Sequence, residues 1–249
     1  MNRRGIGRPV RTTRMSERTV ARTSLVAGAL LVAAGIALIA ATTFDLWSSN
    51  AAADGAAAEL RAETWAAWAE ARLPDRRDDA ATSTTSPREP AAGDTIGLLY
   101  IPRLRDDVWG VPVLHGVSSG QLDRGIGHFP GAAMPGDAGN FSLAGHRTSN
   151  GQPFSGVDVL APGDEVHVRT MDRWFTYVLV RDRIVGPRDT WVLDDEPVGG
   201  LPGSRVITLV TCTPRFSTRQ RWVWWGVLQR SAPADDAPIG IGDVQPSGG

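Results

Sequence analysis

Residues 24–44, SLVAGALLVAAGIALIAATTF, run for 21 positions without a charged side chain. At 1.5 Å per residue a helix of that length spans the ~30 Å hydrocarbon core of a bilayer. Arg14, Arg18 and Arg22 precede the segment, and Asp45 and Asp54 follow it. The positive-inside rule then predicts a cytoplasmic N-terminus with the rest of the chain outside the membrane. A cleaved signal peptide is the alternative, with Ala51-Ala52-Ala53 as a small-residue cleavage site, although the apolar region of such peptides is usually only ~7–15 residues. Either reading exports the main body.

The segment also divides the chain. Residues 1–23 form a basic tail with seven Arg against Glu17, +6 in all, so a chain of net charge −1 leaves −7 for the remainder. An acidic body argues against nucleic acid as a partner, because phosphate neutralisation needs a basic surface. Residues 45–94 read as an extracellular stalk and linker. Leu60, Thr64, Trp68 and Leu73 lie near helical spacing in an Ala-rich stretch. Residues 74–94, PDRRDDAATSTTSPREPAAGD, have the composition of a flexible coil. Residues 232–249 read as a disordered tail. One folded domain remains, over 95–231.

That domain is predicted to be all-β with short helices. Runs at 95–101, 107–114, 140–145, 164–170, 174–185, 205–211 and 221–229 are apolar or alternating, and Gly, Pro and Asp punctuate them at sandwich or barrel spacing. Met171-Asp172-Arg173 suggests a hairpin, and short helices are expected near Ser118–Arg124 and Phe154–Leu160.

Cys212 is the single cysteine of the chain, so an exported protein cannot use it for an internal disulfide. It ends the apolar run Val206-Ile207-Thr208-Leu209-Val210-Thr211, and Pro214 breaks the strand just beyond it. A thiol at a strand end beside a loop is accessible, as a nucleophile must be and a core residue is not.

At this point the residues resemble a family. Thr208-Leu209-Val210-Thr211-Cys212, with Arg221 nine positions on, is similar to the TLxTC signature of sortases. Leu143-Ala144-Gly145-His146-Arg147-Thr148 resembles the strand-end motif that carries the sortase histidine. The surrounding GIGHFPGAAMPGDAGNFSLAGHRT and TCTPRFSTRQRWVWWGVL are similar to the class E branch of actinobacteria. The bulky Trp222, Trp224 and Trp225 depart from the smaller aliphatic residues usual there. The resemblance implies an eight-stranded β-barrel and a cysteine transpeptidase. Cys212 would be its nucleophile, His146 its proton carrier and Arg221 its oxyanion stabiliser, with Ala144 and Thr211 contacting substrate. Arg215 and Arg219 compete with Arg221 by proximity, and the family spacing favours Arg221. His115, His128 and His167 are read as structural or surface residues, and Arg147 as structural.

One Cys and four scattered His give no zinc spacing, and no Gly-rich phosphate loop follows a strand. No metal or cofactor is expected. The resemblance implies secreted proteins with a C-terminal LPxTG-like or LAxTG-like sorting signal as substrates, cleaved after Thr, and a cell-wall (peptidoglycan precursor) amine as acceptor. A pilin-polymerising enzyme and a catalytically silent wall-binding scaffold are the alternatives.

Overall fold

The structure, a computed structural model, describes residues 17–72, 89–197 and 205–242. Residues 17–45 form one compact unit and residues from Leu46 onward another. The first unit is entirely helical, the leading part of α1 (Glu17–Ala71). Its side chains from Leu25 to Phe44 are uncharged and exposed all round, apolar except for Thr42 and Thr43, whose hydroxyls bond back to helix carbonyls, and the helix is long and apolar enough to cross a membrane.

In the second unit, eight strands close into a barrel. They are β1 (Thr95–Tyr100), β2 (Trp109–His115), β3 (Ile126–His128), β4 (Gly139–Ala144), β5 (Glu165–Arg169), β6 (Arg173–Val185), β7 (Arg205–Thr213) and β8 (Gln220–Pro233). Around the barrel the order is β1-β2-β3-β4-β7-β8-β6-β5. The β2/β3 and β4/β7 pairs are parallel and the remaining pairs antiparallel. Parallel neighbours need long crossovers. The first carries the one-turn helix α2 (Ser119–Leu122), and the second contains the whole β5–β6 hairpin.

Seven of these strands coincide with apolar runs in the sequence. The eighth, β3, does not, because its GIGH sequence reads as punctuation. The glycines are there for close approach: a Cβ on Gly125 would stand 2.4 Å from the Pro112 carbonyl oxygen, and one on Gly127 2.5 Å from that of Gly116.

The barrel is filled by Leu99, Phe141, Leu143, Val168, Tyr177, Ile207, Leu209 and Trp224. The alternate residues of β7 and β8, Val206, Val210, Val223 and Trp225, are buried on the outer side against Val185 and Val192. Strands covered on both faces read as continuous apolar runs, which is why the pattern of β7 is so uniform.

Two expectations about the flanking segments change. A free-standing stalk is replaced by a docked helix: Trp65 and Trp68 of α1 pack with Leu98, Tyr100 and Trp174 of the barrel. The buried Arg169 guanidinium lies 5.3–5.6 Å from the ring centroids of Trp65, Trp68 and Trp174, within cation–π range. An Ala-rich surface with two tryptophans on one side suits a shallow wall better than open water. The tail expected to be disordered folds back as far as Gly242, with Ile241 buried against that same cluster. Of the expected linker 74–94, residues 74–88 lie outside the described residues. Its end is tied down where Gly93 donates to the His115 carbonyl at 2.8 Å.

Trp65→Ala in the full-length protein should therefore cost about 2–3 kcal/mol in denaturant unfolding, below the usual core Trp→Ala range because the site lies at the barrel wall. A second expectation follows from His167, fully buried in β5 and hydrogen-bonded through Nδ1 to the Thr176 hydroxyl at 3.0 Å. Burial lowers its pKa to about 4, outweighing the half-exposed Glu165 carboxylate 3.3 Å away. The unfolded chain, titrating near ~6.5, binds the extra proton between those values. Stability is thus full above about pH 6.5 and falls towards pH 4, by about 2–3 kcal/mol for this group. His167→Gln should flatten that part of a stability–pH profile.

Candidate active site

The register of three strands builds the site. In the parallel β4/β7 pair Ala144 sits beside Val210, and Gly145 N–H continues the ladder to the Val210 carbonyl at 3.1 Å. Two residues on from Ala144 the chain reaches His146, and two on from Val210 it reaches Cys212. In the antiparallel β7/β8 pair, Cys212 is opposite Arg221. Because side chains alternate with period two, Cys212 and its cross-strand partner Arg221 project from one face of the β7/β8 pair, and His146 follows just past the end of β4. Cys212 and Arg221 are thus roughly one strand spacing (~4.8 Å) apart along the ladder.

That face opens into a cavity of about 340 Å³, lined by His146, Cys212 and Arg221 together with Ala144 and Thr211. All five sequence-predicted site residues thus share one cavity. The walls are apolar: Val117 and Leu122 come from the segment around α2, and Val192 and Leu193 from the connection after β6. Among the described residues no group of three or more His, Cys, Asp or Glu could hold a metal ion.

Thr211 points to the opposite side of β7 from Cys212. Its buried hydroxyl donates to the Gly145 carbonyl at 2.8 Å, fastening the His146 segment to the Cys212 strand. Arg147 makes a second fastening on that side. Its buried guanidinium donates to the Thr213 hydroxyl at 2.8 Å and to Asp158 at 3.1 Å, and lies 5.0 Å from the Trp222 ring centroid. Burial pushes the Asp158 pKa up, but a hydrogen bond from its own backbone, then the Arg147 and Arg215 guanidiniums, together hold it below the ordinary carboxylate value.

Cys212 is half-buried, and among the described residues no hydrogen bond joins its thiol to His146. The His146 imidazole instead pairs with Asp123, Nε2 to Oδ1 at 3.3 Å. Arg221 spends Nη1 on the Thr218 and Gln220 carbonyls at 2.9 and 3.1 Å, which fixes the guanidinium while leaving its other N–H groups for a ligand. Its sequence competitors turn elsewhere. Arg215 donates to the Ser155 carbonyl, and Arg219 to the Ser217 hydroxyl at 3.3 Å. Neither lines the cavity.

The three tryptophans that break the family pattern are absent from the lining as well. Trp224 donates to the Val157 carbonyl inside the barrel, Trp225 to the Val192 carbonyl behind the cavity, and Trp222 to Asp182 at 2.8 Å. His115, His128 and His167 lie off the cavity too. His115 and His128 face each other through their Nδ1 atoms at 3.2 Å.

Sequence reasoning overlooked Asp123. It lies in a short predicted helix, with no spacing that ties it to His146, and only the crossover of α2 brings the two together.

A family model described as a Sortase domain matches residues 99–229. The chain is 37% identical over 216 residues to Sortase SrtE1 of Streptomyces coelicolor, an alignment that takes in 83% of this chain and 57% of that protein. It is 32% identical over 241 residues to Sortase SrtE2 of the same organism, covering 90% of this chain and 89% of that one. The crystal structure of Sortase E1 from Streptomyces coelicolor with a tripeptide in the active site aligns with a TM-score of 0.55 at 37% identity, over 61% of this chain and 99% of that one.

Arg147→Met should test the fastening. It leaves Thr213 and Asp158 without their buried partner, so thermal or denaturant unfolding should show a loss of about 2 kcal/mol, limited by the partial exposure of Asp158. The same variant should lose turnover.

Proposed function

The chain belongs to the sortase family of cysteine transpeptidases, and from that premise we propose that His146, Cys212 and Arg221 carry its acyl transfer. The observation behind this reading is that the three line one largely apolar cavity, with Cys212 and Arg221 paired across β7 and β8 and His146 two residues past the end of β4. The Cys212 thiolate attacks the carbonyl carbon of the scissile peptide bond, forming a C–S bond and moving the carbonyl electron pair onto oxygen. The guanidinium of Arg221 donates to that oxyanion, an interaction that strengthens as charge develops. Collapse expels the amine, which takes its proton from the His146 imidazolium. The resulting thioester keeps the acyl group activated until an incoming amine attacks, and His146 receives the proton that amine gives up.

An extended C-terminal sorting signal of the LPxTG or LAxTG type is the proposed substrate, cut after Thr. The tripeptide in the active site of the Streptomyces coelicolor structure supports a peptide ligand in such a cavity. Ala144 beside the cavity opening, and Thr211 through its hold on Gly145, are the proposed substrate-side contacts. A peptidoglycan-precursor amine is the proposed acceptor. The apolar part of α1 is a candidate membrane anchor. With the basic residues before it, we assign its N-terminal side to the cytoplasm and the barrel to the outside.

Full-length enzyme in detergent, given LPxTG and LAxTG peptides with and without an amine, should release the C-terminal fragment and form the amide product. Cys212→Ala should abolish both while retaining the wild-type melting curve. Arg221→Ala should lower kcat about 100-fold or more, and Arg221→Lys should recover little of it because one point charge does not replace a planar fork. Substantial turnover by Cys212→Ala would remove the mechanism.

A further inference from the structure

The pairing of Asp123 with His146 is one link of a longer chain of contacts. The carboxylate Oδ1 that faces His146 Nε2 at 3.3 Å also accepts from Asn150 Nδ2 at 2.7 Å. Asn150 has φ +52°, in the left-handed region, which Asn tolerates better than most side chains. The next residue, Gly151, donates its backbone N–H to Asn50 Oδ1 of α1 at 3.2 Å. The loop after His146 is therefore held at two adjacent residues, Asn150 by the carboxylate that faces the imidazole and Gly151 by the docked helix. Asp123 itself follows directly on α2, where its backbone N–H donates to the Ser119 carbonyl at 2.9 Å. The turn that presents the carboxylate also places Leu122 in the cavity wall.

We infer that Asp123 is a positioning residue for His146, kept in place by Asn150 and, through Asn50, by α1. A carboxylate only accepts hydrogen bonds, so it assigns a proton to Nε2 and leaves Nδ1 as the nitrogen whose proton travels in the reaction. The imidazole then needs no search among tautomers and ring flips before each transfer, and what is gained lies in kcat and not in substrate binding. This inference rests on His146 as the proton carrier, a premise that His146→Ala tests by itself.

The test uses the full-length enzyme in detergent with an LAxTG-type peptide. Asp123→Ala should lower kcat about tenfold with KM changed by less than about twofold, the size of one lost hydrogen bond. Asp123→Asn keeps an acceptor oxygen for both partners and should stay within about threefold of wild type. Asn50→Ala should lower kcat about twofold to threefold, and the Asn50→Ala/Asp123→Ala double variant should be no slower than Asp123→Ala alone, because the two act through one contact chain. In a ¹⁵N-histidine-labelled chain, the His146 resonances should shift from the Nε2–H tautomer towards a mixture in Asp123→Ala but not in Asp123→Asn. This readout is independent of turnover. Wild-type kcat in Asp123→Ala, equal impairment of the Asn and Ala variants, or an unchanged tautomer signature would overturn the assignment. So would fully multiplicative effects of Asn50→Ala and Asp123→Ala. A dead His146→Ala beside a fully active Asp123→Ala would defeat this inference and leave the reaction mechanism standing.

Discussion

The parallel pairing of β4 with β7 is the constraint on which the site depends. An antiparallel neighbour can be supplied by a short local loop, and β8 reaches β7 through residues 214–219, setting Arg221 opposite Cys212. A parallel neighbour must come from elsewhere in the chain. Here sixty residues separate Ala144 from Arg205, and that interval holds a full hairpin of the barrel wall. Closing so long a loop is entropically unfavourable, and burial of β7 on both faces offsets it. Thr211 and Arg147 then lock the open ends of the two strands, where the ladder alone would fray. The end of β4, two residues before His146, and the end of β7, which carries Cys212, are thereby held side by side although chain connectivity does not join them directly.

Arginine has two opposed uses in the molecule. Arg169 is buried among three indole rings, where its charge holds α1 to the wall. Arg147 is buried in a clamp of hydroxyl, carboxylate and indole. Arg221, by contrast, is fixed through one nitrogen and left open on the rest. The guanidinium suits all three because it stacks, forks and remains charged. The chain has no lysine, so every fixed positive side chain is an arginine, and composition gives no guide to which arginine does which task.

Much of the molecule is legible in its sequence because strands and helices bury faces at fixed periods. The apolar runs from β1 to β8, the hairpin at Met171-Asp172-Arg173 and the uncharged helix all follow from that rule. So does the convergence of the two strand-end motifs, once their resemblance to a family supplies the pairing. What escaped reading depends on contacts between distant segments. The glycine-spaced β3 has too little apolar character to register. The helical spacing that includes Trp68 does not say what the helix packs on, and the buried Arg169 beneath Trp65 and Trp68 supplies the answer. The tail containing Ile241 has loop composition, and one apolar side chain returns it to the barrel. Asp123 is one carboxylate among many, given meaning only by a crossover whose path the sequence does not state.

The closed circuit of strands carries a further consequence. Many proteins that capture extended peptides do so by lending them a free sheet edge, so that main-chain hydrogen bonds supply affinity to almost any sequence. A circuit closed through all eight strands has no such edge to lend. A peptide entering this cavity finds no free strand edge and meets largely apolar walls. Indiscriminate stickiness towards unfolded chains is thereby suppressed, a useful trait for a reactive thiol.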